Sequence, residues 1–115
     1  MKIRLLLLLN FTLGLGACKH QPQEIPAPSG CASVTFSGQV NPIIQQNCAI
    51  SGCHVANFPD GDFTKFSDLH EKVTDGSFKN SVIDWNAPRM PDNHKLPEEN
   101  IRILQCWLNQ GAPNN

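Results

Sequence analysis

Residues 47–54 of this chain are N-C-A-I-S-G-C-H, and this segment decides how the rest of the sequence is interpreted. Cys48 and Cys53 are separated by four residues, and His54 follows the second cysteine directly. Thiol and imidazole groups form disulfides, bind metal ions and anchor covalent cofactors. The segment therefore allows three interpretations: a disulfide beside an unrelated histidine, part of a zinc site, or the attachment point of a covalent cofactor.

Cys53-His54 resembles the haem-attachment motif of c-type cytochromes, in which two thiols form thioethers with haem and the adjoining histidine binds the iron. The motif is normally C-x-x-C-H, whereas the spacing here is C-x-x-x-x-C-H. The two additional residues can bulge outward as a small loop, because Gly52 is free to adopt a positive φ. The resemblance implies one covalent haem c on Cys48 and Cys53, with His54 as a ligand of the iron.

Met90 is the candidate for the second axial ligand. It lies in A-P-R-M-P-D and resembles the loop of small single-haem cytochromes c, in which a methionine followed by proline binds the iron opposite the histidine. Prolines on both sides of Arg89 and Met90 limit the conformations of this loop. A gap-filling role in the core is the alternative for Met90, and His94 is the rival ligand. Haem with Met90 unbound would suit a gas sensor.

Four segments have the pattern of helices, and their order resembles the class I cytochrome c fold. The first is a helix with Asn41 and Pro42 suited to its N-cap and first turn. Two shorter candidates span 67–73, with Ser67 as N-cap, and about 78–83. We therefore expect an all-α domain with about four helices around one covalently attached haem.

The fourth predicted helix lies in L-P-E-E-N-I-R-I-L-Q-C-W-L-N-Q-G-A, and its ending also resembles the class I family. Glu98 and Glu99 lie at the positive end of the helix dipole, and Gly111 marks the end of the helix. Pro97 replaces the usual capping serine, so we expect a weak helix start. One apolar face is predicted to pack inward: Ile101, Leu104 and Leu108.

The first residues have the pattern of a secretory signal, with a basic M-K-I-R head followed by an apolar run too short to span a bilayer permanently. We therefore expect residues 1–17 to be a signal peptide. The run ends L-G-A-C, which resembles the lipobox of bacterial lipoproteins. This resemblance implies that Cys18 carries lipid and anchors the exported protein in the cell envelope, on the periplasmic side or at the outer membrane.

The chain after the signal divides into a tether and a domain. Residues 18–32 are rich in proline and poor in apolar residues, which is typical of an extended tether. Residues 33–115 form one small domain, of a size that often needs disulfides, metal or a cofactor for stability. The formal net charge is −1 and there is no basic stripe, so we expect no nucleic-acid partner. No catalytic constellation is found, so we expect no enzyme activity.

The chain has five cysteines, and lipidation of Cys18 leaves four in an exported domain, where free thiols tend to oxidise. In one scheme Cys48 and Cys53 hold haem while Cys31 and Cys106 form a disulfide between the start of the domain and its last helix. In the other scheme the four cysteines form two disulfides and there is no haem. A zinc site is the weaker interpretation, because the spacing lacks the paired form of structural zinc modules.

Several other residues have weaker patterns. His20 lies in the tether, and His70 is expected on a helix surface. The P-D-G-D segment at 59–62 is typical of a turn rather than of a calcium loop. Trp85 and Arg89 flank the methionine loop and are candidates for binding the haem propionates, or else a partly buried indole and a solvated guanidinium. Six apolar side chains are expected to enclose the haem: Ile43, Ile44, Phe63, Phe66, Leu104 and Trp107.

The sequence thus predicts a lipid-anchored, monomeric, single-haem c-type cytochrome that passes electrons between redox partner proteins of the envelope. Because the haem would also fill the core, we expect the haem-free form to be poorly folded. The rival interpretation is a haem-free lipoprotein stabilised by disulfides, acting as a binding or structural module.

Overall fold

The computed structural model describes residues 30–115. The predicted signal peptide, Cys18, His20 and most of the predicted tether lie outside these residues. The described part contains three α-helices: α1 (Asn41–Asn47), α2 (Phe66–Thr74) and α3 (Glu98–Asn109). It also contains a 3-10 turn and two π-helical turns: Cys31–Ser33, Phe36–Val40 and Lys79–Ile83. No β-strand occurs between residues 30 and 115, so the predicted all-α class is confirmed for this part of the chain. None of these helices has the length and apolar character needed to cross a membrane.

The first helical region begins earlier than predicted. The Thr35 hydroxyl accepts a hydrogen bond from the Gly38 N–H, and the π-helical turn that follows runs directly into α1. Asn41 is therefore a helical residue, and the prediction that it is the N-cap is wrong. Thr35 has the capping role instead, because its hydroxyl satisfies an N–H group that the helix leaves unpaired. Pro42 lies in the first turn of α1, as predicted.

The two middle helical segments are close to their predicted positions. α2 begins at Phe66, one residue before the predicted start, and Ser67 does not cap it. The Ser67 hydroxyl instead donates to the carboxylate of the neighbouring Asp68 at 3.0 Å. The segment predicted at about 78–83 is the π-helical turn Lys79–Ile83, which buries three successive residues.

The last helix has the predicted ends but a different buried face. Pro97 precedes α3 without a side-chain cap, and Gly111 follows the helix with φ +86°. Ile101 and Leu108 are only half-buried. The fully buried residues of α3 are Asn100, Ile103, Leu104, Cys106 and Trp107. The face is rotated because Trp107 and the disulfide at Cys106 both attach α3 to the beginning of the domain.

Trp107 is the centre of the core and has no exposed surface. Its ring centroid lies 5.7 Å from that of Phe36, and Phe66 approaches Phe36 edge-on at 4.8 Å. The indole N–H of Trp107 donates to the Pro113 carbonyl at 2.9 Å, so its polar atom is satisfied inside the protein. Each fully buried large apolar side chain contributes about 1.5–3 kcal/mol. The contact between the first helical region and α3 therefore contributes several kcal/mol to the stability of the described fold, on the order of the burial of two or three such side chains.

The Cys31–Cys106 disulfide is present, as both cysteine schemes predict. Its Cα atoms lie 4.9 Å apart, and it closes a loop of 75 residues in sequence separation. A cross-link over that separation stabilises the folded chain by about 4 kcal/mol, since it restricts the unfolded state. The Gln110 side-chain amide also donates to the Cys31 carbonyl. The disulfide and this hydrogen bond join the first described turn to the C-terminal half of α3.

Candidate functional site

A cavity of about 400 Å³ opens beside the core, and its wall is mainly apolar. This volume is within the range of pockets that hold small ligands and cofactors. Its wall includes all four residues that the sequence predicts for cofactor binding: Cys48, Cys53, His54 and Met90. The rival ligand His94 also lies on the wall. The fold therefore brings together residues that are up to 46 positions apart in the sequence, Cys48 and His94.

The imidazole of His54 is held in one orientation by three contacts. Its ring stacks on Phe63 with centroids 3.9 Å apart and planes 4° apart, and Phe58 meets it edge-on at 4.9 Å. Its Nδ1 lies 3.3 Å from the Gly61 carbonyl oxygen. Because a carbonyl only accepts, Nδ1 carries the proton in this hydrogen bond, and Nε2 is the nitrogen available to a metal. Metal-binding histidines are usually oriented by such a bond from the other ring nitrogen.

The Gly61 carbonyl is positioned by a tight turn. The Gly61 N–H donates to the Phe58 carbonyl at 3.2 Å, and the Phe63 N–H donates to the His54 carbonyl at 3.0 Å. Gly61 has φ +106°, and a Cβ there would lie 3.2 Å from the Phe63 ring. The carboxylate of Asp62 accepts from the Thr64 hydroxyl and N–H. The acidic segment is thus a turn that supports His54, as the turn interpretation predicts.

Burial lowers the pKa of His54. The backbone hydrogen bonds to Gly61 and Asp60 and the charge of the Asp60 carboxylate oppose this shift without cancelling it. The neutral imidazole is therefore favoured at neutral pH. The neutral ring is also the form that binds a metal.

Cys48 and Cys53 are both free thiols in this structure, so the Cys48–Cys53 bridge of the rival scheme is not formed. Burial, and secondarily the proximity of Cys53, raises the pKa of Cys48 to about 12. Burial also protects the Cys48 thiol from oxidation. The two cysteines are thus placed on one cavity wall without being joined to each other.

The four residues between the cysteines form the predicted bulge. The Cys53 N–H donates to the Ile50 carbonyl at 2.9 Å, and the His54 N–H donates to the Cys48 carbonyl at 3.0 Å. Gly52 has φ +82°, which is the conformation that the sequence predicts for it. The backbone hydrogen bond between His54 and Cys48 closes the longer loop despite the two additional residues.

Met90 and His94, the two candidates for the second iron ligand, lie on one loop that precedes α3. Met90 is half-buried, packs against the core cluster, and donates its N–H to the Ser81 carbonyl at 3.1 Å. His94 is exposed, and its Nδ1 is in hydrogen-bond contact with the Asn93 side chain. Met90 is therefore the more firmly held of the two candidate ligands.

Two expectations about the surroundings of the cavity are not met. Trp85 and Arg89 are absent from the wall, and the Arg89 Nε instead donates to the Trp85 carbonyl at 3.1 Å. Of the six apolar residues expected to enclose the cofactor, only Phe63 lies on the wall. The other five pack away from the cavity: Ile43, Ile44, Phe66, Leu104 and Trp107. These side chains pack between the helices. Helical periodicity alone does not distinguish a residue that packs on another helix from one that packs on a cofactor.

Sequence reasoning missed several roles at the site. Gly61 was expected only as part of a turn and Phe63 only as an apolar residue around the haem, whereas both orient His54. Lys72 and Ser81 lie on the wall without any signal in the local sequence. His70 stacks on Phe66 at 5.2 Å and does not line the cavity. Within residues 30–115, no group of three or more His, Cys, Asp or Glu side chains is arranged to hold a metal ion.

No protein-family model, curated protein or solved structure matches this chain. The functional assignment therefore depends on the residues and geometry of the cavity.

Proposed function

We propose that this chain is a lipid-anchored, single-haem c-type cytochrome with a class I-like fold, which carries single electrons between redox proteins of the cell envelope. The observation that supports it most strongly is the common cavity of Cys48, Cys53, His54 and Met90. These residues supply two thiols for thioether bonds and two axial ligands of the type found in cytochromes c. The donor set therefore fits a covalent haem.

The cavity residues divide the work of holding such a cofactor. Haem c, when bound, supplies reversible one-electron chemistry at iron. Cys48 and Cys53 provide the covalent attachment, and His54 presents Nε2 because Nδ1 is tied to Gly61. Phe58 and Phe63 restrict the motion of the imidazole. A ligand that moves little between the two oxidation states keeps the reorganisation on electron transfer small.

Met90 is the proposed sixth ligand, and a neutral thioether raises the reduction potential relative to a second histidine. Its packing against the core and its backbone bond to Ser81 support this choice over the exposed His94. Near-infrared magnetic circular dichroism of the oxidised protein distinguishes the two ligand pairs. We expect the methionine signature in the wild type and its loss in Met90→Ala, whereas His94→Ala should retain it.

The decisive experiment is a pyridine haemochrome spectrum of the exported protein, combined with its intact mass after denaturation. We expect a c-type spectrum and a mass increase equal to one haem. Cys53→Ser should lose one thioether bond or the haem entirely, while His70→Ala, which lies off the cavity wall, should keep the wild-type spectrum. A colourless wild-type protein that is correctly exported and disulfide-bonded would reject haem and favour the rival binding or structural lipoprotein.

The lipid anchor on Cys18 is part of the same proposal. We expect Cys18 to carry lipid and a Cys18→Ser variant to be released from membranes in a detergent phase-partition assay. In this proposal the protein is a monomeric electron carrier rather than an enzyme. Retention of the serine variant in the membrane fraction would contradict the lipid anchor without affecting the haem assignment.

A further inference from the structure

Lys72 is the one lysine or arginine on the wall of the cavity formed by residues 30–115. It lies in the last turn of α2 and is half-buried. Lys65 and Lys79 form ion pairs with Asp62 and Asp84 at 3.4 and 2.7 Å, but none of residues 30–115 pairs with the Lys72 ammonium within 4.0 Å. A half-buried cation without a close counter-ion on an apolar wall is an unusual arrangement, because burying an unpaired charge is costly.

Ser81 is another hydrogen-bond donor on this wall. Only 7% of the residue is exposed, and it lies on the π-helical turn Lys79–Ile83. Its carbonyl accepts the Met90 N–H at 3.1 Å, but its hydroxyl makes no hydrogen bond to any of residues 30–115. Asn100 Oδ1 is the one buried side-chain nitrogen or oxygen atom of residues 30–115 that has no hydrogen bond, so the Ser81 hydroxyl is accessible rather than sealed inside the protein. On the cavity wall this hydroxyl can donate to a molecule in the cavity.

We propose that Lys72 and Ser81 bind a carboxylate of the molecule that occupies the cavity, which under the proposed function is a haem propionate. An ammonium and a hydroxyl both donate hydrogen bonds, and a bond from an ammonium to a carboxylate is among the stronger kinds. The two carboxylates on the wall, Asp60 and Asp92, would repel a second anion. The wall thus contains one place where an acidic group gains a cation.

The electrostatics of the site agree with this assignment. Burial is the main cause of the lowered pKa of His54, and the positive charge of Lys72 adds to it only slightly. Hydrogen bonds from Ser77 are the main cause of the lowered pKa of Asp75, to which the charge of Lys72 also adds slightly. The sequence candidates for this role, Trp85 and Arg89, are not on the wall.

Lys72→Gln and Lys95→Gln form a matched pair of variants in the haem-loaded protein. Lys95 is exposed and off the wall, and its replacement removes the same charge. Without Lys72, no cation offsets the negative charge of the propionate, and this negative charge stabilises ferric iron. We expect Lys72→Gln to shift the midpoint potential in the negative direction by at least about three times the shift of Lys95→Gln, since screening weakens the effect of an exposed charge.

Resonance Raman spectroscopy provides the direct readout, because the propionate bending mode responds to hydrogen bonding. We expect this mode to shift in Lys72→Gln and, by less, in Ser81→Ala, and to be restored in Lys72→Arg. Lys95→Gln should leave it unchanged. Retained haem and helical circular dichroism in each variant would show that the shifts do not result from unfolding.

The outcomes separate this inference from the proposed function. A wild-type protein without haem would reject both. A haem-loaded wild type in which Lys72→Gln and Lys95→Gln shift the potential equally, with the propionate mode unchanged in both, would overturn the assignment of Lys72 while leaving the cytochrome intact. An unchanged mode in Ser81→Ala alone would remove the hydroxyl from the site.

Discussion

The helical core and the cavity face of this domain differ in how their side chains are satisfied. Around Trp107, the buried side chains of the first helical region and α3 pack against one another, and the indole N–H has a protein partner. On the cavity face, Cys48, Cys53, His54, Met90 and Lys72 line a cavity of about 400 Å³ instead. The core is thus filled by protein atoms, with Asn100 Oδ1 on α3 its one buried side-chain polar atom that lacks a hydrogen bond among residues 30–115, whereas the cavity face has the composition of a site that binds another molecule.

Because the helical core is filled by protein side chains, haem is expected to contribute less to its stability than the sequence predicts. Five of the six residues expected to enclose the cofactor are instead committed to the helical core. Some residues belong both to that core and to the cavity wall, among them Cys48, Phe63 and Phe78. Under the proposed function, loss of the haem is therefore expected to affect the loops at 48–63 and 88–94 more than the contact between the helices.

The largest effect should follow from removing Trp107. Trp107→Ala deletes the central fully buried side chain, so we expect a loss of about 3–5 kcal/mol in the free energy of unfolding. Phe58→Ala, on the half-buried cavity side, should cost about 1 kcal/mol. Urea denaturation followed by circular dichroism measures both. Equal losses would mean that the two regions are not energetically distinct.

The next effect concerns the disulfide. Replacing both Cys31 and Cys106 with serine should lower the free energy of unfolding by about 2–4 kcal/mol, because the unfolded chain regains the freedom that the cross-link removes. Under the proposed function, the haem content of the folded fraction should stay at one per chain, since the disulfide is on the core side. Loss of haem from protein that remains folded would contradict this, because it would mean that the disulfide in the helical core also supports the cavity face.

A smaller effect is expected from Gly61→Ala, which forces a side chain into φ +106° and against the Phe63 ring. We expect a cost of about 1–2 kcal/mol together with a displaced Gly61 carbonyl, and hence a changed axial-ligand spectrum from His54. Gly76→Ala is the matched control, because Gly76 also has a positive φ, +82°, but has no atom within 4 Å of the new Cβ. The control should lose stability without a spectral change, and a spectral change in both variants would deny Gly61 its specific role.

The smallest effect is a pH dependence of protein prepared without haem. Burial lowers the folded-state pKa of His54 below the ordinary value of 6.5, so the unfolded chain binds the proton more readily. The contribution of His54 is therefore fully present above pH 6.5 and is lost as the pH falls through that value towards the folded-state pKa. The lowered pKa values of Asp62, Asp75 and Glu99 act only in a more acidic range. Between about pH 6.5 and 5, stability should fall less in His54→Gln than in the wild type. A profile that is identical in the two proteins would contradict the assigned cause.

Much of the fold could be predicted from local patterns. The ends of α3, the position of α2 to within a residue and the Cys31–Cys106 pairing follow from helix signals and from cysteine arithmetic. The start of the first helix was misplaced, because Thr35 caps a π-helical turn that has no distinct periodicity. The buried face of α3 was also misjudged, since Ile101 and Ile103 are equally apolar and only the packing of Trp107 decides between them.

The sequence alone determined which chemical groups this domain offers: two thiols, an adjoining imidazole and a proline-flanked thioether, with Gly52 able to close the longer loop between the thiols. Only the tertiary structure decided that these groups border one cavity, that the Gly61 carbonyl orients His54, and that Lys72 rather than Arg89 lies on the wall. Helical periodicity and turn preferences act over a few residues, so a sequence reveals them directly. The meeting of distant loops results from the closure of the whole chain around Trp107, which no local pattern encodes.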